Sequence, residues 1–103
     1  MHLIRLRSAW EPAAADSADS SPRRFDRAFG RPTNLGGERV FLVIEPKPQG
    51  RVCLNGDLLA SSPAGTDEQF RAEVTSLLNS RNLLSIETDS ATFEHEVRLE
   101  IVE

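Results

Sequence analysis

Residues 39–60 read RVFLVIEPKPQGRVCLNGDLLA, and this stretch decides the fold. Val40 to Ile44 is the longest unbroken apolar run, and it is rich in the β-branched and aromatic residues that suit a strand. Pro46 and Pro48 stop it too soon for a helix. A run apolar on both faces predicts a central strand covered on each side. Beyond the prolines, Val52-Cys53-Leu54 and Leu58-Leu59-Ala60 flank Asn55-Gly56. That dipeptide is a strong hairpin signal, because a type I′ turn needs two residues that accept positive φ.

Working outward, the same alternation returns on both sides. Ile4, Leu6 and Trp10 share a face with Ser8, and Arg5 and Arg7 take the other, which predicts a first strand over residues 2–10. Glu11 to Pro22, EPAAADSADSSP, offers too little apolar surface to offset the entropy of ordering it, and a mobile loop is expected over 11–22. Phe25, Arg27 and Phe29 alternate with Arg24, Asp26 and Ala28. Ser61 to Gln69 is a second long loop, acidic towards its end. Phe70, Ala72 and Val74 mark a further strand, and Thr75 is placed as the N-cap of one helical turn through Leu77 and Leu78. Leu84 and Ile86 define another strand. In the last segment Phe93, His95, Val97, Leu99 and Ile101 face one way, and Thr92, Glu94, Glu96, Arg98 and Glu100 the other.

Six to eight short strands with one helical turn predict a single all-β domain over 1–103, a sandwich or barrel. The first strand exposes Arg5 and Arg7 where the last exposes Glu94, Glu96 and Glu100. Opposite charges across a ladder favour pairing, so the first and last strands are expected to lie side by side.

Charge and composition narrow the function classes. The formal net charge is −4, with twelve basic residues, eleven of them arginine, against sixteen acidic ones. A nucleic-acid binder needs a basic face, so that class is set aside. The basic residues concentrate in 1–51, nine against six acidic, and the acidic ones in 52–103, ten against three basic. We read this as cross-strand complementarity. The single cysteine allows no intrachain disulfide, and Cys53 is expected to be a small buried thiol. His2 and His95 are too far apart for metal-ligand spacing, so no metal or cofactor is expected. The opening MHLIRLRSAW lacks the apolar core of a signal peptide or membrane span, and a cytoplasmic location is the default.

A series of short motifs carries a resemblance. In order they are Arg24-Phe25-x-Arg27-x-Phe29, Pro32, and Gly37-x-Arg39-Val40-Phe41-Leu42-x-Ile44-Glu45. They continue with Val52-x-Leu54-Asn55-Gly56, Phe70, Val74-Thr75-x-Leu77-Leu78 and Asn82-x-Leu84-x-Ile86. Together they resemble the non-catalytic, sugar-binding N-terminal domain of β-galactosidases and β-glucuronidases (glycoside hydrolase family two). The resemblance implies a galactose-binding-domain-like jelly roll, a stand-alone relative of an accessory module. It also implies a glycan or a glycosidase as partner. The family's catalytic carboxylates belong to a separate barrel domain. Where the family carries a histidine- and aromatic-containing loop after its hairpin, this chain has Ser61 to Gln69, without His, Tyr or Trp.

No catalytic constellation stands beside it. Glu94, Glu96 and Glu100 fall on a solvated strand face, where nothing raises a carboxyl pKa for general acid work. No nucleophile elbow, phosphate loop or dinucleotide fingerprint occurs. The expected function is a non-enzymatic sandwich module binding a glycan through loops at one end. Asp67, Glu68 and Gln69 are the expected hydrogen-bonding groups, with Asn34 and Trp10 as further candidates. The competing expectation is a protein-interaction or assembly module that keeps the fold without the sugar.

Overall fold

The computed structural model describes residues 2–7, 10–12, 23–32, 35–48, 50–60, 68–88 and 94–103. Among the described residues nine strands form: β1 (His2–Arg5), β2 (Glu11–Pro12), β3 (Arg23–Gly30), β4 (Arg39–Glu45), β5 (Val52–Leu54), β6 (Asp57–Leu58), β7 (Phe70–Glu73), β8 (Arg81–Thr88) and β9 (Glu96–Val102). A 3₁₀ turn, Thr75–Leu77, separates β7 from β8. Sheet A runs β1-β9-β4-β7 and sheet B runs β2-β3-β8-β5-β6, with every pairing antiparallel. The molecule is an all-β sandwich.

Only β2–β3 and β5–β6 are joined within one sheet; every other connection crosses to the opposite sheet. The core lies between the sheets. Val40, Leu42 and Ile44 enter it from β4, Val97 and Leu99 from β9, Leu84 and Ile86 from β8, and Val52 and Leu54 from β5. This is the two-residue periodicity of the sequence written as burial: β8 alternates buried Asn82, Leu84, Ile86 and Thr88 with more exposed neighbours.

The pairing of the two ends is as expected, with His2 opposite Ile101 and Ile4 opposite Leu99. Its electrostatics differ in detail. Arg98, not a glutamate, lies directly across from Arg5. Arg5 reaches Glu96 on the diagonal, 3.6 Å from Nε to Oε1.

Several expectations are corrected. The first strand ends at Arg5, after which Leu6 N still donates to Val97 O. The chain then crosses to sheet B, where Glu11 pairs with Asp26 and Pro12 with Phe25. Glu11 and Pro12 are thus strand residues and not the start of a loop; 13–22 lie outside the described residues. Thr75 is not a cap, since the turn is flanked by Val74 without a side-chain cap bond. Its hydroxyl instead accepts from Val40 N at 2.8 Å and donates to Glu73 Oε2 at 3.1 Å. Cys53 points away from the core beside Leu58 and Ser85, and is half-buried.

The Asn55-Gly56 turn forms as its residue types require, with φ of 54° and 88°. Asn55 also does more than turn the chain. Its Oδ1 accepts from Leu83 N at 2.8 Å, and its Nδ2 donates to Asn82 Oδ1 at 3.1 Å. Asn82, 3% exposed, completes the lock. Its Oδ1 accepts from Asn79 N at 2.8 Å, and its Nδ2 donates to Asn79 O and Phe29 O at 2.9 and 3.4 Å. One buried amide therefore fastens the hairpin, the link after the 3₁₀ turn and the end of β3. Replacing Asn82 by alanine strands these groups, and the free energy of unfolding in urea should fall by about 2–3 kcal/mol. Asn55→Ala combined with it should be less than additive.

Candidate functional site

A ligand-binding sandwich must offer one of its two outer faces, or the loops at an end. Sheet A presents Phe41, Val43 and Glu45 outward from β4, flanked by Arg71 and Glu73 of β7 and by Arg98 and Glu100 of β9. Val43 is fully buried there, although it points away from the core. Its cross-strand neighbours are Arg98 on one side and Arg71 on the other. Arg98 bonds Glu45 at 2.9 Å and Glu100 at 3.0 Å, and Arg71 lies 3.6 Å from Glu100. The Arg71 guanidinium stacks 3.9 Å from the Phe41 ring centroid. Gln69 Nε2 donates to Glu45 Oε1 at 2.7 Å. A continuous polar chain, Arg71–Glu100–Arg98–Glu45–Gln69, closes this face, and its arginine stems cover the apolar residues beneath. Its groups are spent on one another.

Sheet B differs. One cross-strand row runs Leu58, Cys53, Ser85, Asp26 and Glu11 over five strands. Leu58 is 65% exposed, and Leu83, opposite Ala28, is 46% exposed. Between β2, β3 and β8 lies a recess of about 350 Å³ lined by Glu11, Asp26, Arg27, Ala28 and Leu83. Glu11 and Asp26 face each other directly across the β2–β3 ladder, so two carboxylates share one rim. Arg24 leans on Asp26, with Nε 3.3 Å from Oδ1. Asp26 Oδ1 is buried without a well-formed hydrogen bond. Glu11 is exposed, and its carboxylate has no partner among the described residues. Arg27 spends Nε on Arg7 O at 2.7 Å and Nη1 on Ala28 O at 3.0 Å. Nη2 remains as its nitrogen without a partner among the described residues. The recess thus combines carboxylate acceptors with the apolar side chains of Ala28 and Leu83.

Of the residues expected from sequence, Glu68, Gln69 and Trp10 are described. Asp67 and Asn34 lie outside the described residues. Glu68 is exposed, its carbonyl accepting from Lys47 N at 3.0 Å. Gln69 is partly buried in the polar chain of sheet A. Trp10 is half-buried against the core, with Nε1 donating to Leu6 O at 3.1 Å, so its ring is part of the crossing between sheets. His95 stands at the rim, with Nδ1 2.7 Å from Pro46 O and Nε2 3.4 Å from Thr88 Oγ1. Glu11, Asp26 and Arg27 were not singled out as ligands. Alternation already put Asp26 and Ala28 on one face, but only the β2–β3 pairing brings Glu11 to them.

No protein-family model and no curated protein matches the chain. Among the described residues no group of three or more His, Cys, Asp or Glu could hold a metal ion, and no helix is long and apolar enough to cross a membrane.

Two carboxylates outside the recess are held ionised by arginine. Arg51 grips Glu87 through Nε and Nη2 at 3.2 and 3.1 Å, which pulls the Glu87 pKa below its ordinary value. The strands come close here: a Cβ on Gly50 would lie 2.5 Å from Glu87 Cβ, so only glycine fits. Hydrogen bonding from Arg98 likewise lowers Glu45. A carboxylate whose pKa falls on folding adds stability above its unfolded pKa and loses it as pH drops through the folded one. Glu87→Gln should therefore melt below the parent at pH 7. The gap should close on acidification below the usual glutamate range, as read by thermal melts across pH 7 to 2.5.

Proposed function

We propose that this chain is a non-catalytic β-sandwich module that binds one sugar residue weakly in the recess between β2, β3 and β8. The observation that carries this reading is the recess itself. Opposed carboxylates flank a floor of Ala28 and Leu83 in a volume of about 350 Å³. Sugars present hydroxyls to carboxylate acceptors and an apolar ring face to aliphatic carbon, and a site of this size suits a single ring. The strand order supports it from another side. Setting aside the short β2, four strands ordered β1-β9-β4-β7 lie over four ordered β3-β8-β5-β6, with crossings from sheet to sheet, in the manner of a jelly roll. That agrees with the galactose-binding-domain-like resemblance of Arg24 to Glu87. Glu11 open to water and Asp26 ion-paired with Arg24 make an arrangement for recognition, not an acid–base pair.

The exposed Leu58 and Leu83 on the same face support a second reading, a protein-interaction module. Its mark would be association that Leu58→Ser with Leu83→Ser abolishes, in a chain silent to sugar.

Calorimetric titration with galactosides and glucuronides should give millimolar-range dissociation constants for the parent chain. Glu11→Ala and Asp26→Asn should each weaken binding at least about fivefold, the loss of one hydrogen bond of about 1 kcal/mol. Glu68→Ala should bind as the parent does. Silence with every sugar at millimolar concentration would overturn the proposal. Loss in Glu68→Ala, with Glu11→Ala unchanged, would move the site to the end loops.

A further inference from the structure

Sheet A ends in two strand edges, β1 and β7, and the edge of β7 has a specific form. Val74 N donates to Val40 O, which fixes the alternation of the β4–β7 ladder. Main-chain groups of Phe70, Ala72 and Val74 then face β4, whereas those of Arg71 and Glu73 face outward. Within β7, the residues with outward N–H and C=O groups are thus one cation and one anion, both on the outer face of the sheet. An edge with such groups is a template for another strand.

We propose that a second copy of this chain is that strand: two β7 edges join antiparallel about a two-fold axis at Ala72. In this register Arg71 of each copy lies opposite Glu73 of the other. Both are outward-facing residues, so the pair forms the closely bonded type of antiparallel match, giving four main-chain hydrogen bonds. The same register sets two opposite-charge pairs directly across the ladder, each the symmetry mate of the other. The neighbouring registers are rejected by charge: centring on residue 71 opposes two arginines, and centring on 73 opposes two glutamates. Arg71 stacks on Phe41 of β4 and reaches Glu100 of β9, so its guanidinium turns from these towards the edge to meet Glu73 of the second copy. The β1 edge lacks this property. There Leu6 N bonds Val97 O, which turns the main-chain groups of Leu3 and Arg5 outward, and a leucine facing an arginine has nothing to select a register. In sheet B, the edges β2 and β6 have two residues each. The result is one continuous eight-stranded sheet across the dimer, and it stands whether or not the recess binds sugar.

Four residues a side make a small interface, so association is expected on the order of 0.1–1 mM. Sedimentation equilibrium of the full chain should show the weight-average mass rising from 11.4 kDa towards twice that value. Added salt should shift the rise to higher concentration. Glu73→Arg and Arg71→Glu should each remain monomeric over the same range. An equimolar mixture should associate again, since one copy then offers two arginines at the edge and the other two glutamates. Glu73 is exposed, so Glu73→Arg tests the interface with far-ultraviolet circular dichroism confirming the fold, even if Arg71→Glu loses its stack on Phe41 and unfolds. A parent chain monomeric at the highest concentration overturns the proposal. So does a dimer that survives Glu73→Arg.

Discussion

Val43 points away from the core of the sandwich, yet none of it meets water. The run Val40 to Ile44 can therefore be apolar throughout without a third layer of structure. Side chains of the same sheet provide the cover. Arg71 and Arg98 flank Val43, and Glu45 and Glu100 hold the guanidinium groups in place. Each pair near the surface is worth little alone. Linked through Arg98, at 15% side-chain exposure, and Glu100, at 13%, they form a fixed lid over an apolar strip. A face whose hydrogen-bonding groups are satisfied internally has little to give a ligand.

Sheet B has the complementary character. Its outer face keeps Leu58 and Leu83 in water, and it leaves Glu11 without a partner among the described residues. Two carboxylates directly opposed on a ladder are unfavourable by themselves, and Arg24 answers only Asp26. Such a rim is kept at some cost in stability. A ligand that donates hydrogen bonds to both acids would offset that cost, which is the physical sense of the sugar-binding proposal.

How much of this could be read from sequence depended on range. The strand at 39–45, the Asn55-Gly56 hairpin and the alternation of β8 are local patterns, and each was legible. Pairing of the two ends was legible too, from the two opposed charge rows. Glu11 and Pro12 were missed because two residues beside a polar, low-complexity run carry no periodicity; only distant β3 makes them a strand. Thr75 was misassigned for a similar reason. A threonine before Leu77-Leu78 looks like a cap, but Val40 N, thirty-five residues away, claims its hydroxyl. Asn82 and Asn55 were visible as motif residues of the resemblance, while their joint role as a corner lock needed coordinates. The recess was illegible because it is a product of register: Asp26 was on the correct face, but Glu11 had no strand to sit on.

The two outer faces are unlike, sheet A sealed by its own ion pairs and sheet B open at the recess. The most direct measurement is amide and methyl chemical-shift mapping on the labelled chain during titration with a galactoside. Shifts are expected at Glu11, Asp26 to Ala28 and Leu83, with Phe41, Val43, Arg71 and Arg98 to Glu100 unmoved. Shifts concentrated on the β4–β9 face would contradict it.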